Sequence, residues 1–343
     1  MSKGGAHFTA QELALVLSHY DIGIIQQIKP LVAGSRRAPK QIIVSDKGRY
    51  FLKRRAKGKE IRGRIEFAHA VQNLLYEKQF PVSKFIPTKD GNNTFLEIEG
   101  HIYELFDFAA GIRFNGQPEL VENAGLTLAQ FHTFLKGRTF SSTSQRNSFH
   151  DSKSVRDHLK KISHDHKQQN PEKTASHLLT MYNQSSVNVN QFGFDFWPSG
   201  IVHGDWHPGN MLFSGSKISA VFDFDSLNIA PFTTDIANGA LQFSITAGRP
   251  DPSDWPDYLD EAKFSAFISG YCKGNAITEN ELKSLPDLMI ETLIAEAVLP
   301  IAATGNFSNF SGVDFLKMIH RKCQWIENNK NSLIEQMLKG CLR

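Results

Sequence analysis

The feature that most constrains the fold of this chain is a change in its hydrophobic pattern about one third of the way along its 343 residues. Between residues 26 and 107, apolar residues fall in short runs typical of strands, separated by turn residues such as Asp46, Lys47 and Gly48. After Gly111, apolar residues recur at helical spacing. The sequence therefore predicts an α+β protein with a small antiparallel sheet followed by a larger, mainly helical region.

The first region is predicted to have the order β-β-β-α-β-β, preceded by a short helix. Thr9 and Glu12 have the spacing of a capping box, which predicts a helix through about Ser18. The helix between the strands is expected to end before Pro81. The strands are expected at residues 29–33, 41–44, 50–53, 94–98 and 102–106.

The second region is predicted from amphipathic stretches and the polar segments between them. Helices are expected at residues 120–135, 155–167, 171–182, 258–272, 279–303 and 312–338, with polar connections at 141–154 and 183–190. The change of pattern divides the chain into a domain of residues 1–107 and a domain of residues 108–343. A hinge is expected near residues 104–111.

The composition argues against several classes of protein. A net charge of +3 is too small to indicate a nucleic-acid partner, and the basic stretch from Arg54 to Arg64 contains no aromatic residue. We therefore expect no nucleic acid to bind. The basic stretch is either a solvated surface or a region that attracts a polyanion such as a nucleotide. No apolar run approaches the about 20 residues that cross a bilayer, so no membrane partner is expected.

The cysteines bear on the compartment in which the protein works. Cys272, Cys323 and Cys341 are scattered without paired spacing. They are predicted to be reduced thiols, neither a disulfide framework nor a zinc site. The N-terminus has no apolar segment of signal-peptide length. Together these observations predict a cytoplasmic protein.

The chemistry of the chain is concentrated in residues 200–213 and the acidic residues that follow. Asp205 and Asn210 lie five residues apart between two short apolar runs, which is the spacing of a kinase catalytic loop. Phosphoryl transfer needs a carboxylate to accept the proton of the attacking hydroxyl, and oxygen ligands for Mg2+. Asp223 is expected on the second of two strands joined through Gly215. The pattern predicts Asp205 as base and Asn210 and Asp223 as metal ligands.

Alternative interpretations of this pattern exist. An Asp and an Asn at this spacing occur by chance in many proteins, and Asp223 with Asp225 is often only the polar end of a strand. His203, Asp205 and His207 are also residue types that bind zinc, as in a metallohydrolase. The whole constellation of loop, hairpin and acidic pair is more specific than any of its parts.

Residues 203–213 (His-Gly-Asp-Trp-His-Pro-Gly-Asn-Met-Leu-Phe), followed by Phe-Asp-Phe-Asp at 222–225, resemble the aminoglycoside phosphotransferase/choline kinase superfamily. Within it, the chain is most similar to the branch of small-molecule kinases that resemble homoserine kinase. The resemblance extends to Leu-Ala-Gln-Phe-His at 128–132, to the hinge-like residues 103–111 and to Asp-Ile-Ala at 235–237.

This resemblance implies a two-lobed protein-kinase-like fold that uses ATP and Mg2+. It also implies that Asp205 is the base, that Asn210 and Asp223 bind Mg2+, and that Asp235 braces the catalytic loop. The hinge would hold adenine by backbone groups, which assigns nucleotide contacts to Glu104 and Phe106. His132 is expected to be a core histidine, and Trp206 is expected to pack under the loop.

The phosphates of the nucleotide have their own candidate residues. Lys53 ends a predicted strand at the place where the family keeps its phosphate-binding lysine, although Arg54 and Arg55 are equally able to reach phosphate. Glu66 is the carboxylate expected to orient Lys53 from the following helix, with Glu60 as the alternative. Gly34 and Ser35 occupy the position of a phosphate-covering loop that has few glycines.

The sequence thus predicts an ATP-dependent phosphotransferase acting on a hydroxyl of a small polar molecule, of the homoserine, choline, amino sugar or aminoglycoside type. The alternatives are a nucleotide-binding kinase-like scaffold without activity and a protein Ser/Thr kinase. Five acids at positions 251, 254, 257, 260 and 261 either attract a cationic acceptor or favour the start of a helix through its dipole.

Overall fold

The computed structural model describes residues 6–31, 37–140, 148–165, 171–246 and 250–341. It divides into two compact units. The first unit contains Met1–Ile112, Thr139–Ser144 and Ser219–Asp225, and the second contains Arg113–Arg138, Gln145–Ile218 and Ser226–Arg343. The division thus falls at 112/113, where the sequence predicted 107/108. In addition, the short segment that carries Asp223 belongs to the first unit.

The first unit is built on one antiparallel sheet. Its strands have the order β1-β2-β3-β5-β4, and α2 follows β3 in the chain, so the predicted β-β-β-α-β-β order is confirmed. The elements are α1 (Ala10–Ser18), β1 (Ile25–Pro30), β2 (Lys40–Ser45), β3 (Gly48–Arg54), α2 (Arg62–Glu77), β4 (Leu96–Ile98) and β5 (His101–Asp107).

Helix α1 begins with the predicted capping box, in which the Thr9 side chain accepts from the Glu12 amide and the Glu12 side chain accepts from the Thr9 amide. Its apolar face packs on the sheet: Val16 and Leu17 belong to one core cluster with Ile43, Leu52 and Leu105. The alternation of the strands places these three residues on the face that the helix covers.

Strand β1 lies earlier in the chain than predicted, at residues 25–30 in place of 29–33. All six of its residues are exposed, so it lacks the alternation of apolar and polar residues that marks a half-buried strand. It is an edge strand and ends at Pro30, which has no amide hydrogen to donate to a ladder.

The second unit is mainly helical. Strand β6 pairs antiparallel with β9, β7 forms a two-stranded sheet with β8, and residues 219–221 of β8 belong to the first unit. The elements are α3 (Pro118–Leu135), α4 (Lys153–Asp165), α5 (Pro171–Gln191), β6 (Ser199–Val202), β7 (Met211–Ser214), β8 (Lys217–Val221), β9 (Asn228–Pro231), α6 (Phe232–Ser244), α7 (Glu261–Gly274), α8 (Glu279–Thr304), β10 (Asn306–Phe307), β11 (Phe310–Ser311) and α9 (Gly312–Cys341).

Helix α5 continues to Gln191, whereas the sequence predicted a polar connection over residues 183–190. The buried residues in the C-terminal half of α5 are Tyr182, Ser185, Ser186 and Val189, which recur at helical spacing, and two of them are serines. Small polar residues therefore carry the buried face, which a search for apolar periodicity misses. A glycine with left-handed φ, Gly193, follows the helix.

Helices α3 and α7 cross with their backbones in contact. A Cβ atom at Gly270 would lie 1.9 Å from the carbonyl oxygen of Glu122, and one at Gly125 would lie 2.0 Å from that of Phe267. These two positions therefore require glycine because the opposite backbone occupies the space of a side chain.

The cysteine prediction is wrong for two of the three residues. Cys272 and Cys341 form a disulfide that joins α7 to the end of α9, whereas Cys323 is a free, buried thiol. The partners are 69 residues apart, so their spacing in the chain gave no indication of the pairing. Within the ranges that the structure describes, no helix is both long enough and apolar enough to cross a membrane.

Candidate active site

The loop that carries Asp205 follows β6 and is fixed by a buried carboxylate on α6. Asp235, 1% exposed, accepts hydrogen bonds from the backbone amides of His203 (2.6 Å) and Gly204 (2.8 Å). Gly204 has φ of +74°, and a Cβ atom there would lie 2.6 Å from the carbonyl oxygen of Ser226. Glycine at 204 and the carboxylate at 235 therefore set the backbone shape of the loop.

Asp235 is itself held by a histidine of α3. His132 is fully buried, and its Nε2 lies 3.1 Å from the Asp235 carboxylate while its Nδ1 lies 2.9 Å from the Tyr271 hydroxyl. The carboxylate can only accept, so we assign the proton to Nε2, and Nδ1 accepts from the tyrosine. His132 is thus a core histidine with both ring nitrogens bonded, as predicted.

Asp205 and Asn210 are in direct contact. The Asn210 amide donates to the carboxylate of Asp205 at 2.9 Å and to its backbone carbonyl at 3.1 Å. His207 Nε2 lies 3.5 Å from the other carboxylate oxygen. Burial opposes ionisation of Asp205, but the hydrogen bond and charge of His207, with His203 and Asn210, lower its pKa below the usual value. The loop therefore presents an ionised carboxylate with fixed orientation.

Trp206 anchors the loop on α6 and in the core. Its indole ring is fully buried and packs against Phe131 and His203, as predicted. Its backbone amide donates to the side-chain oxygen of Asn238 at 2.9 Å, and the Asn238 amide donates to Glu296 of α8 at 2.8 Å. The loop that carries Asp205 is therefore connected through one asparagine to a carboxylate on another helix.

In the first unit, Lys53 is oriented by a carboxylate of the neighbouring strand. Lys53 of β3 pairs in register with Glu104 of β5, and the Lys53 amine lies 3.7 Å from Glu104 Oε2. The expected partner, Glu66, is on the exposed part of α2 and pairs with Arg62 at 2.8 Å. The predicted pairing of Glu66 with Lys53 is therefore wrong. Directly opposed residues of adjacent strands place their side chains on the same face of the sheet, which explains the Glu104 contact.

Glu104 is the centre of a buried charge network. Its Oε1 accepts from the guanidinium of Arg55 at 2.7 and 2.9 Å and contacts His69 Nε2 at 2.6 Å. The carboxylate is 1% exposed, and burial opposes its ionisation. The charges of Lys53, Arg55 and His69 overcome this and hold the pKa of Glu104 far below its usual value. Its other oxygen, Oε2, has no hydrogen-bond partner among the described residues.

Arg55 also reaches the acidic segment that follows β8. Its second terminal nitrogen contacts Asp225 at 2.8 Å, and Lys53 lies 3.8 Å from the same carboxylate. Arg55 and Asp225 were missed as a pair. Arg55 follows the last residue of β3 and its amide donates to the carbonyl of Ile102, so the alternation of the strand continues and places Arg55 on the same face as Lys53. This alternation is the signal that would have found the pair. Arg54 faces the other side and pairs with Glu12.

Asp223 and Asn210 have oxygen atoms suited to a cation. Asp223 has φ of +61°, a conformation that is uncommon for a residue other than glycine and typical of functional sites. Its side chain is exposed and forms no ion pair with another of the described residues. Asn210 uses its amide nitrogen on Asp205, which leaves its carbonyl oxygen as a ligand. Carboxylate and amide oxygens fit Mg2+.

Other predicted site residues have more limited support. Gly34 and Ser35 lie outside the described residues. Phe106 lies in β5, where it pairs in register with Phe51 and its ring is 4.7 Å from that of Phe85. Within the described ranges, no group of three or more His, Cys, Asp or Glu side chains is arranged to hold a metal ion, so His203, Asp205 and His207 form no such zinc cluster.

Known proteins resemble this chain over most of its length. It is 24% identical to a homoserine kinase of Nitrobacter winogradskyi over 287 residues, which cover 81% of this chain and 79% of that protein. The fold is similar to a microcompartment-associated aminopropanol kinase (TM-score 0.70, 14% identity, 95% of this chain and 98% of that one). It is also similar to an amicoumacin kinase in complex with AMP-PNP, Ca2+ and Ami (TM-score 0.67, 16% identity, 94% of both chains).

The model of the phosphotransferase enzyme family matches residues 27–272, which is well over half of the chain. The match includes Lys53, Glu104, the Asp205 loop, Asp223 and Asp235. The resemblance noted in the sequence and the protein-kinase-like α+β fold are both confirmed. The chain therefore belongs to the phosphotransferase enzyme family.

Proposed function

We propose that this phosphotransferase is a small-molecule kinase that moves the γ-phosphoryl group of ATP to a hydroxyl of a small polar molecule, of the homoserine, choline, amino sugar or aminoglycoside type. The observation that carries the proposal is the state of Asp205: an ionised carboxylate, oriented by Asn210 and held in a loop that Asp235 fixes. Such a carboxylate is what the acceptor hydroxyl needs.

The chemical step uses Asp205 as base. The acceptor oxygen attacks the γ-phosphorus, the bond from this phosphorus to the β–γ bridging oxygen breaks, and ADP leaves with those electrons. Asp205 takes the proton of the hydroxyl. Because its pKa is lowered, Asp205 is ionised and ready to accept that proton throughout the neutral range.

The remaining roles concern the nucleotide. Asn210 and Asp223 would hold Mg2+, which neutralises the phosphate charge when it is bound. Lys53 would bind the α/β-phosphates, because its amine is half-buried beside Glu104 and Asp225 without a short ion pair to either. Gly34 and Ser35 are proposed to contact phosphate through the backbone, and Glu104 and Phe106 to contact adenine in the same way. Glu66 is no longer assigned a nucleotide role, because it pairs with Arg62.

Two comparisons support the donor and the acceptor in this proposal. The relative from Nitrobacter winogradskyi is a homoserine kinase, and homoserine is a small molecule with a hydroxyl. The amicoumacin kinase binds AMP-PNP, an analogue of ATP. A location in the cytoplasm is also proposed, and the Cys272–Cys341 disulfide is a feature uncommon in proteins of that compartment.

The test has two parts. Thermal unfolding is measured with ATP, with and without Mg2+, and ATP turnover is then measured over homoserine, choline, amino sugars, an aminoglycoside and a protein with accessible serines. We expect an Mg2+-dependent rise in the melting temperature and turnover with at least one small molecule. Binding without any turnover would support the scaffold instead, and turnover on the protein alone would support a protein kinase.

A further inference from the structure

The face of the first-unit sheet that α1 does not cover carries a row of apolar side chains. Strand register pairs Ile42 of β2 with Phe51 of β3, and Phe51 with Phe106 of β5. Directly opposed residues of neighbouring strands point to the same face, so these three half-buried side chains form one row across the sheet. Because Ile43 and Leu52 pack with α1, alternation places this row on the opposite face.

The neighbouring row on the same face is charged. It lies two residues further along each strand and consists of Lys40, Lys53 and Glu104, in which Lys40 pairs with Lys53 and Lys53 pairs with Glu104. Lys40 is the first residue of β2 and is half-buried, as is Lys53. The sheet therefore holds two lysine side chains side by side, with Glu104 next to the second of them.

This arrangement of the two lysines is electrostatically unfavourable. Like charges directly opposite each other in a sheet are destabilising, since the Cβ atoms of such pairs are only about 4.5–5.5 Å apart. Glu104 adjoins Lys53 in the row, and its Oε1 accepts from Arg55. Burial and the charge of Lys53 lower the pKa of Lys40, whereas the charge of Asp223 acts in the opposite direction. A local arrangement that costs stability is expected where a site binds a ligand of opposite charge.

The two lysines have different acidic neighbours. The Lys53 amine lies 3.7 Å from Glu104 and 3.8 Å from Asp225. The carboxylate whose charge acts on Lys40 is Asp223, a proposed Mg2+ ligand that belongs to the same unit as the sheet. In phosphoryl transfer the metal bridges the β- and γ-phosphates. Lys40 is therefore suited to the terminal part of a phosphate chain.

We propose that Lys40 is a second phosphate-binding lysine, which contacts the γ-phosphate of the nucleotide while Lys53 contacts the α/β-phosphates. This inference rests on the proposed function, because it takes this face of the sheet as the nucleotide site. An apolar row beside a charged row suits a ligand that has a ring at one end and a phosphate chain at the other. Lys40 would thus make the protein prefer a nucleoside triphosphate to a diphosphate, which also favours release of ADP.

A phosphate-binding role for Lys40 predicts opposite effects on stability and on binding. Replacing Lys40 by Gln removes the repulsion with Lys53, so the nucleotide-free variant should melt at the wild-type temperature or above it. The same replacement removes a charged contact with the γ-phosphate and should weaken triphosphate binding. A lysine that only supports the fold would instead lower the melting temperature when replaced.

The experiment measures binding of AMP-PNP and of ADP to the full chain by calorimetry, with Mg2+ present. Lys40→Gln and Lys53→Gln are compared with the wild type. Lys29→Gln is the control, because Lys29 is an exposed lysine on strand β1 of the same sheet. Lys40→Arg tests for rescue, since a guanidinium keeps the positive charge and can also bind phosphate. Melting temperatures without nucleotide are measured for every variant.

We expect Lys40→Gln to weaken AMP-PNP binding about 10- to 150-fold and ADP binding less than about threefold. Lys53→Gln should weaken the binding of both nucleotides, and Lys29→Gln should weaken neither. Lys40→Arg should remain within about tenfold of the wild type for AMP-PNP. Unchanged AMP-PNP binding by Lys40→Gln would overturn the inference. So would losses that are equal for the two nucleotides or that accompany a lower melting temperature.

Turnover measured on the same proteins separates this inference from the proposed function. If the wild type phosphorylates an acceptor but Lys40→Gln binds AMP-PNP as the wild type does, the inference fails and the kinase proposal stands. If Lys40→Gln selectively loses AMP-PNP binding but the wild type phosphorylates no acceptor, the lysine site stands and the kinase proposal fails.

Discussion

The charge network around Lys53 in the first unit and the loop around Asp205 in the second hold their carboxylates in opposite ways. Glu104 is 1% exposed and shared among Lys53, Arg55 and His69. Asp205 is 38% exposed, and its neighbours are the neutral amide of Asn210 and the ring of His207. The first carboxylate is compensated by cations, whereas the second is left able to react.

This difference matches the two tasks of a kinase. A site for nucleotide phosphates needs cations fixed in position, and a buried acid fixes them because breaking such a pair is costly. A base must instead exchange a proton with a substrate, which requires access and a charge that no permanent cation neutralises. The following predictions test this contrast, beginning with the largest expected effect.

Replacing Asp205 by Asn removes the carboxylate that we propose accepts the proton, while keeping the shape of the side chain. We expect kcat to fall by about 10² to 10⁴-fold, because general base catalysis typically contributes that much. Nucleotide affinity should change less than twofold, since the nucleotide contacts are separate. Steady-state kinetics and calorimetry check both, with Asp195→Asn as the control at an exposed aspartate of the same unit. Turnover within a few-fold of the wild type would remove Asp205 as the base.

Replacing Glu104 by Gln should destabilise the first unit, whereas Glu66→Gln should not. Glutamine at 104 leaves the buried Arg55 and the half-buried Lys53 beside a neutral group, with an expected loss of about 3–5 kcal/mol. Glu66 forms an exposed pair with Arg62, and its replacement should change the free energy of unfolding by less than about 1 kcal/mol.

Urea unfolding of the two variants gives the comparison, and nucleotide affinity measured in parallel should fall only for Glu104→Gln. Equal effects of the two substitutions would mean that the buried network does not orient Lys53.

Replacing Asp235 by Asn tests whether the loop needs its buried acceptor. Asparagine can accept from only one of the two backbone amides of His203 and Gly204, and its NH2 group would face the other. We expect a loss of about 1–3 kcal/mol in the free energy of unfolding, with a fall in kcat from misplacement of Asp205. Nucleotide affinity is the internal control and should be retained. An unchanged kcat would show that the loop keeps its shape without this carboxylate.

The smallest expected effect is a difference in the sign of pH dependence. The folded pKa of Glu104 is lowered, so its contribution to stability is present above the unfolded value of about 4.3 and is lost as pH falls below it. Burial raises the folded pKa of Glu296 to about 7, so the folded state holds its proton more tightly. Stability from this group therefore decreases as pH rises from about 4.3 to 7.

Melting temperatures between pH 3 and 8 measure these contributions as differences between the wild type and each Gln variant. The wild type should melt above Glu104→Gln by a margin that narrows as pH falls, whereas its melting temperature should drop progressively below that of Glu296→Gln as pH rises from about 4.3 to 7. Two differences with the same sign of slope would contradict the assigned pKa directions.

What could be predicted from the sequence was local in the chain. The Asp205–Asn210 contact joins residues five apart in the chain. The strands before residue 107 could be located because each is a short apolar segment bounded by turn residues. Contacts that depend on sheet order were missed. Glu104 contacts Lys53 only because β5 lies beside β3 in the sheet. The separation of these residues in the chain does not indicate that the two strands are neighbours. Glu296 is likewise defined by the amides of another helix.

Helix α6 also defines which parts of the molecule can be redesigned. Asp235, Asn238 and Gln242 occupy one face of this helix, three and four residues apart, and reach in turn the loop backbone, the Trp206 amide and Glu296. Inserting or deleting one residue in α6 would rotate the later side chains by about 100° and break this alignment. A selection for altered acceptor preference should therefore keep the length of α6 constant, because these three side chains hold the loop that carries Asp205 and the carboxylate of Glu296 in a fixed arrangement.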